Sequence, residues 1–349
     1  MQRFTYEAAP MRVVFGDGTL AALGAEVERL GLRRAVLVVT PSQAARGAAL
    51  AAQLGPLAAG VIPLAAMHTP VEVTEQALAL LRAMGGDGLV AVGGGSAIGL
   101  SKALALRSGL KQIAVPTTYA GSEMTPILGQ TEAGRKLALR SAAVLPQVVI
   151  YDVALTLGLP PALSATSGLN AMAHAVEALY APDANPVTSL MAEEAIRALA
   201  AALPAVVAEP GDRAARAEAL QGAWLAGACL GAVTVSLHHK LCHVLGGSFG
   251  LPHAETHAAV LPWAVQFNAP AAPAAMARIA RALGQADAVE GLFALSRRLG
   301  APASLAALGL AESDLDRAAE IATAAPYPNP RPVERAAIRA LLGAALRGR

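Results

Sequence analysis

Aromatic residues make up only 3% of this 349-residue chain, and it has only two cysteines, Cys229 and Cys242. Two cysteines cannot form a disulfide framework, and without a CxxC pair they make no zinc knuckle, so a reducing compartment is expected. Lysine is equally scarce, at positions 102, 111, 136 and 240, and one inside a motif therefore draws attention. There is no basic run, and 27 basic residues against 25 acidic ones leave a net charge of +2. A nucleic-acid partner is not expected from that balance. The opening stretch MQRFTYEAAPMRVVFGDG lacks a positive segment followed by an apolar core, so no secretory leader is expected and the protein is placed in the cytoplasm. The most membrane-like stretch, Ala219–His239, is uncharged over about the length of a bilayer span. It is rich in Gly, Ala, Ser and Thr and runs straight into HHKLCH, so it reads as a buried helix, with no membrane partner.

What the chain has is alanine, 33 glycines, 23 prolines and a 55% hydrophobic composition, which excludes disorder and allows a sizeable core. Its length suits two domains. Strands are expected at Ala35–Val39, Gly88–Val92, Gln112–Val115 and Gln147–Ile150, with helical patterns such as Thr19–Leu30 and Thr74–Met84 between them. Continuous apolar strands spaced by helices predict a parallel sheet covered on both faces. From about Leu155 strand signals vanish, and helices follow one another across breaks at Pro160–Pro161, Pro182–Pro186, Pro210–Gly211 and Pro270–Pro273. The fold class is therefore a Rossmann-like α/β dinucleotide-binding domain over 1–155 and an all-helical substrate and catalytic domain over 156–349, the chain changing texture near 152–160.

The Asp87–Val92 run leads into Gly93, Gly94, Gly95 and Ser96 and then a helix through Lys102. A strand, a glycine turn and a helix N-terminus offer unpaired N–H groups and a positive dipole end to a pyrophosphate. The spacing is not GxGxxG, so the ordinary Rossmann fingerprint is absent. A second segment, Pro116-Thr117-Thr118-Tyr119-Ala120-Gly121-Ser122-Glu123, puts hydroxyls at the carboxyl edge of the sheet, where open α/β folds bind ligands. Thr40, Pro41 and Ser42 follow the Ala35–Val39 strand without an acid that would repel a 2′-phosphate. Both NADH and NADPH are expected, on Thr40, Ser42, Gly93, Gly94, Gly95, Ser96, Thr117, Thr118 and Ser122.

Six of the seven histidines fall in two short segments. In SGLNAMAHAVE, Asn170 and His174 are four apart and share a helix face; in LHHKLCH, His239 and His243 do the same, with His238 and Lys240 beside them and His253 and His257 following a glycine turn. Isolated core histidines do not cluster in this way.

These segments, together with Phe15-Gly16-x-Gly18, the GGGS turn and PTTxxGSE, resemble the iron-containing alcohol dehydrogenase superfamily over nearly the whole chain. The resemblance implies a dehydroquinate synthase-like architecture with the active site in the cleft between the domains. In the metal-dependent members an Asp and three His hold iron or zinc, and the matching positions here are residue 170, His174, His239 and His253, with His243 beside them. Residue 170 is Asn, a neutral amide where a hard cation wants a carboxylate. Gly99 stands where those relatives carry Asp, and Lys240 extends the His-His run.

With these departures, SGLNAMAHAVEALYA, LHHKLCHVLGGSFGLPHAETH and PYPNPRP (Pro326–Pro332) are similar to the maleylacetate reductase branch. That resemblance implies reduction of the conjugated C=C bond of maleylacetate to 3-oxoadipate with NADH or NADPH and no metal, by a homodimer acting in aromatic-compound degradation on a small dicarboxylate. Hydride addition leaves charge on the ketone oxygen, which needs a hydrogen-bonding or positive group, and the α-carbon needs an acid. His243 is expected as acid or electrophile, with His239, His253 and Lys240 as its catalytic neighbours and Asn170, His174, Tyr327 and Arg331 binding substrate. The alternatives are a metal-dependent alcohol or polyol dehydrogenase, for which three imidazoles suffice to hold zinc, and a non-catalytic dinucleotide-binding protein.

Overall fold

The computed structural model describes residues 4–132 and 135–349. Two compact units divide the described residues: one is Ala9–Leu159, and the other joins residues 4–8 to Pro160–Arg349, so the division expected at 155/156 falls at 159/160 and the first residues group with the helical unit.

The first unit alternates strand and helix: β1 Arg12–Gly16, α1 Leu23–Arg29, β2 Ala35–Val38, α2 Ala44–Leu54, β3 Ala58–Ile62, α3 Val71–Ala83, β4 Gly88–Gly93, α4 Gly95–Ser108 and β5 Lys111–Pro116. An antiparallel hairpin, β6 Ile127–Glu132 and β7 Arg135–Arg140, precedes β8 Val148–Asp152. Six strands form one parallel sheet in the order β1-β8-β5-β4-β2-β3. Its interior strands are buried on both faces, as their unbroken apolar runs require. From β2 the chain steps outward to β3, and from β4 it steps the other way to β5, so the order reverses between the adjacent strands β2 and β4. The carboxyl ends of strands at such a reversal are where this architecture binds ligands.

Several elements differ from the sequence expectation. Strands β1 and β3 were not foreseen, being short edge strands of half-buried or small residues (RVVFG, AAGVI). The Thr19–Leu30 segment splits into a 3-10 turn, Thr19–Ala22, followed by α1, because the Asp152 carboxylate accepts from Gly18 N–H at 2.9 Å and Leu20 N–H at 2.8 Å and fixes that turn. Helix α3 starts three residues before Thr74, at Val71, directly after Pro70.

The second unit is helical throughout: α5 Pro161–Ala178, α6 Pro186–Ala208, α7 Arg213–Ala232, α8 Leu237–Phe249, α9 His253–Asn268, α10 Pro273–Leu283, α11 Ala288–Arg298, α12 Leu315–Thr323 and α13 Arg335–Arg347. Helix α5 lies at its centre, packed on α6, α7 and α9, with every residue from Ser164 to Ala178 buried. A helix apolar all round is what such a position demands, and the polar side chains that α5 carries are thereby held in the interior.

The expectation of a single buried helix over Ala219–His239 is corrected here. The stretch ends α7 at Ala232 and restarts as α8 at Leu237, the two helices meeting at 95°. Carboxylates from elsewhere stabilise the break. Asp183 accepts from Thr234 N–H and Oγ1–H, and Glu177 accepts from the N–H groups of Ser236 and His238. Among the described residues no single helix is long and apolar enough to cross a membrane.

Candidate functional site

In the α/β unit, β4 runs out at Gly93, whose φ of +148° suits glycine, and α4 begins at Gly95. A Cβ on Gly94 would meet the Thr118 methyl at 2.9 Å, and Thr117 N–H donates to Gly93 O at 3.1 Å. The glycine turn and the Thr117–Ser122 loop are thus packed against each other. A Cβ on Gly95 would meet nothing within 4 Å, so the first turn of α4 presents bare backbone, the cradle a pyrophosphate needs. Thr40 and Ser42 follow β2 at the neighbouring strand end, their hydroxyls 3.1 Å apart. All nine residues expected to face the cofactor lie on these adjacent strand ends and loops. Gln43, which sequence reasoning passed over, belongs with them: its Oε1 is buried without a partner and lies 3.8 Å from the Cβ position of Gly93.

Gly99, one turn into α4, has a packing reason for lacking a side chain. A Cβ there would sit 2.5 Å from Thr69 Oγ1. Thr69 is buried and holds φ +47°, next to His68 at +62°, a left-handed pair that costs a β-branched residue dearly.

Deeper in α4, Lys102 is fully buried. Its ammonium donates to Ser122 O at 2.6 Å, Thr125 O at 2.8 Å, Thr125 Oγ1 at 3.0 Å and Ile127 O at 2.9 Å. Burial draws its pKa down to about 7 against the opposing pull of Glu123. Glu123 is itself buried, which pushes its carboxyl up, and it accepts from Tyr151 Oη–H at 2.7 Å.

In the helical unit, α5, α8 and α9 gather the imidazoles. Ring centroids of His174 and His239 are 5.0 Å apart, His238 and His257 4.9 Å, His239 and His257 5.2 Å, and His253 and His257 4.3 Å; His243 is 6.3 Å from His239. The cluster is layered: His238 and His257 are fully buried, His174 and His239 nearly so, and Lys240, His243 and His253 are partly exposed. Burial, then the neighbouring imidazoles, holds His174 and His257 well below the usual histidine range. Burial and then His239 bring His238 to about 4, against the pull of Glu177. His174, His238 and His257 are therefore neutral at pH 7 and offer hydrogen bonds, not charge.

Glu177 organises this cluster, and sequence reasoning gave it no role. It is fully buried on α5; its Oε1 accepts from His238 N–H at 2.7 Å, and its Oε2 accepts from Ser236 N–H at 2.8 Å and His239 Nδ1–H at 2.7 Å. Burial raises its pKa, but the His239 hydrogen bond, the electrostatic pull of the His239 and His238 rings and the Ser236 N–H outweigh that and hold it low. An ionised carboxylate only accepts, so it fixes the proton on His239 Nδ1 and leaves Nε2 facing the other rings. His238 has the opposite tautomer, since its Nε2 lies 3.0 Å from a carbonyl, His257 O. The missed signal was spacing: Asn170, His174 and Glu177 stand at i, i+4 and i+7, one face of a helix otherwise almost free of charge.

The C-terminal Pro-rich segment divides between two tasks. The Tyr327 ring lies 5.9 Å from Lys240 Nζ, and its hydroxyl is buried without a partner, its pKa raised by burial and by the negative Glu177. Arg331 instead stacks its guanidinium 4.3 Å over the Phe267 ring and donates to Phe267 O at 3.2 Å, at the end of α9. Asn329 and Asn268 bind each other through both amides at 2.7 and 3.0 Å, which ties the segment to the same helix end.

These residues do not fit the Asp/three-His metal site that the resemblance implies. Position 170 offers an amide, and both oxygens of Glu177 are already engaged. Among the described residues, the ring nitrogens that come within 4.8 Å of one another belong to His238, His239 and His257, not to His174, His239 and His253. One nitrogen of His238 is already committed to the His257 carbonyl. A dication there would have three neutral rings and no anionic ligand, its one nearby negative charge being Glu177, engaged behind His239.

Comparison with known proteins identifies the family. Residues 10–153 match the model of the iron-containing alcohol dehydrogenases, and residues 164–346 match the C-terminal model of the Fe-containing alcohol dehydrogenase family. The maleylacetate reductase of Rhizobium sp. (strain MTP-10005) is 59% identical over 348 residues, covering 100% of this chain and 99% of that protein. That of Burkholderia cepacia is 55% identical, covering 98% and 97%. The crystal structure of the Rhizobium enzyme superposes with a TM-score of 0.96 over 100% of this chain and 99% of that one. With both units matched, the strand-end glycine cradle and the imidazole cluster belong to one family, and the chain is a member of the iron-containing alcohol dehydrogenases.

Proposed function

We propose that the protein reduces the conjugated C=C bond of maleylacetate to give 3-oxoadipate, with NADH or NADPH and without a metal ion, in the breakdown of aromatic compounds. Whole-length identity of 47–59% to maleylacetate reductases supports the reaction. Asn170, in the position of a carboxylate ligand, supports its metal independence.

The glycine turn, the first turn of α4, the Thr117–Ser122 loop and the Thr40–Gln43 strand end hold the dinucleotide. No acid stands at Thr40 or Ser42, so a 2′-phosphate is tolerated. When bound, the reduced nicotinamide supplies a hydride to the alkene carbon β to the ketone. The protein must then meet negative charge on the ketone oxygen and deliver a proton to the α-carbon. With His174, His238 and His257 neutral, positive charge for a dianionic substrate comes from Lys240, which is partly exposed, as His243 and His253 are. His243 gives the proton or meets the ketone oxygen. His239, oriented by Glu177, His253 and His174 bind the substrate, with Asn170 as a neutral hydrogen-bonding neighbour that does not repel its carboxylates. Tyr327, held near Lys240, covers this side, and Arg331 fixes the segment that carries it. We also propose that it acts in the cytoplasm as a homodimer, for which light scattering should give about 70 kDa, twice the 35.2 kDa of one chain.

A second reading, a zinc- or iron-dependent alcohol or polyol dehydrogenase, draws on the three nitrogens of His238, His239 and His257. Oxidation of NADH and NADPH with maleylacetate, before and after exhaustive dialysis against a strong chelator, separates the two. Turnover that survives supports the metal-free reduction. Turnover lost and restored by zinc or iron overturns metal independence, and no turnover in either state overturns the reaction itself.

A further inference from the structure

Lys102 is a long charged side chain with no exposure at all, at a place where a buried cation is costly unless it is fully bonded. Its bonds all run one way. Four acceptors surround its three N–H groups, and all belong to Ser122, Thr125 and Ile127, the far end of the segment that begins at Thr117. The near end of that segment is fixed to the glycine turn by Thr117 N–H on Gly93 O and by the Thr118 methyl against Gly94. Lys102 therefore joins the helix whose first turn offers bare backbone to the loop that offers hydroxyls. Glu123, within the same loop, supplies the counter-charge and is held in turn by the Tyr151 hydroxyl on β8. A lysine needed only to fill space between α4 and the sheet would be better replaced by leucine; four polar contacts to a single loop mark a tie.

We infer that Lys102 is a positioning residue for the dinucleotide, its ammonium setting the spacing between the α4 N-terminus and the Thr117–Ser122 loop so that both meet the cofactor at once. The inference rests on the dinucleotide-binding role of that unit and concerns affinity for the cofactor, not the chemical step. Lys102→Met keeps the length of the side chain and removes every donor. Tyr151→Phe leaves Lys102 in place and loosens only its counter-charge.

The test is titration of the purified full-length protein with NADH, followed by nicotinamide fluorescence, alongside steady-state kinetics. Wild type is titrated first. If it binds neither NADH nor NADPH, the reading of the whole unit fails. If it binds, Lys102→Met is expected to raise the NADH Kd and KM at least tenfold, with kcat at saturation within threefold of wild type and KM for the dicarboxylate unchanged. Tyr151→Phe is expected to shift the same two constants by a smaller factor. An unchanged Kd in a folded Lys102→Met overturns the inference, as does a kcat loss at unchanged Kd. If Lys102→Met does not fold, Tyr151→Phe decides: a raised Kd at unchanged kcat sustains the tie, and an unchanged Kd overturns it.

Discussion

Replacing Glu177 by glutamine removes one charge and almost no volume from the centre of the helical unit. The carboxylate accepts three bonds of 2.7–2.8 Å, from His238 N–H on Oε1 and from Ser236 N–H and His239 Nδ1–H on Oε2. Glutamine keeps one acceptor oxygen and brings an NH2 group. With the NH2 at the Oε2 position two donors lose their acceptor; at the Oε1 position only the His238 N–H does. The second placement is therefore favoured. It leaves one buried backbone donor unsatisfied, at ~1–3 kcal/mol. The two surviving bonds also lose their charge assistance, which brings the loss to roughly 2–4 kcal/mol. For a unit of this size the melting temperature should fall by about 5–10 °C.

Activity should change in a separable way. The carbonyl still accepts His239 Nδ1–H, so the tautomer survives, but the negative charge beside the imidazoles is gone. At an effective dielectric near 20, a unit charge 4–5 Å away is worth about 3–4 kcal/mol. If only part of that acts on the reacting groups, kcat for NADH oxidation with maleylacetate falls roughly 10–100-fold. KM for NADH stays unchanged, because the dinucleotide elements belong to the other unit. A Glu177→Gln protein with kcat within twofold of wild type and an unaltered melting temperature would refute the organising role given to this carboxylate.

Three further outcomes follow from the same geometry. Histidines 174, 238 and 257 have folded pKa values below their ordinary 6.5, so their stabilising effect is complete above pH 6.5 and drains away as the unfolded chain takes up protons below it. By pH 5.5 the three together should cost about 4 kcal/mol, read as a falling urea midpoint, and a flat midpoint from pH 7.5 to 5.5 would contradict burial of neutral rings. Asn170→Asp places a charge where a dianion binds and should raise KM for maleylacetate about tenfold or more, with metal content by mass spectrometry still well below one ion per chain; stoichiometric zinc or iron would show that the missing carboxylate alone excludes the ion. Gly99→Ala should cost about 1–3 kcal/mol by driving a methyl into Thr69 Oγ1, which lies 2.5 Å from that Cβ position. Thr69→Gly in the same chain should restore the loss by removing both the clash and the φ of +47°.

The interior of the sheet was readable because strands buried on both faces must be unbroken apolar runs, and AVLVV, GLVAV and QIAV are such runs. Strands β1 and β3 have one neighbour each, so selection for apolar residues is relaxed and RVVFG and AAGVI look like many other stretches. The glycine turn and the PTT loop were legible for a related reason: their chemistry resides in backbone freedom and hydroxyls, which need particular residue types at consecutive positions. The helical site was legible only in its histidines. Glu177 was hidden because its partners, Ser236, His238 and His239, lie about sixty residues away, and no local pattern announces a carboxylate that caps a distant helix. The same long-range bonds explain why the apolar stretch from Ala219 to His239 is not one helix. The break at Val233–Ser236 would be costly in isolation, leaving helix-start N–H groups unpaired. Asp183 and Glu177 accept those donors, and the second of them also accepts from His239 Nδ1–H. One buried acid thus ends the continuity of a helix and orients an imidazole, and neither effect is visible until α5 and α8 are placed side by side.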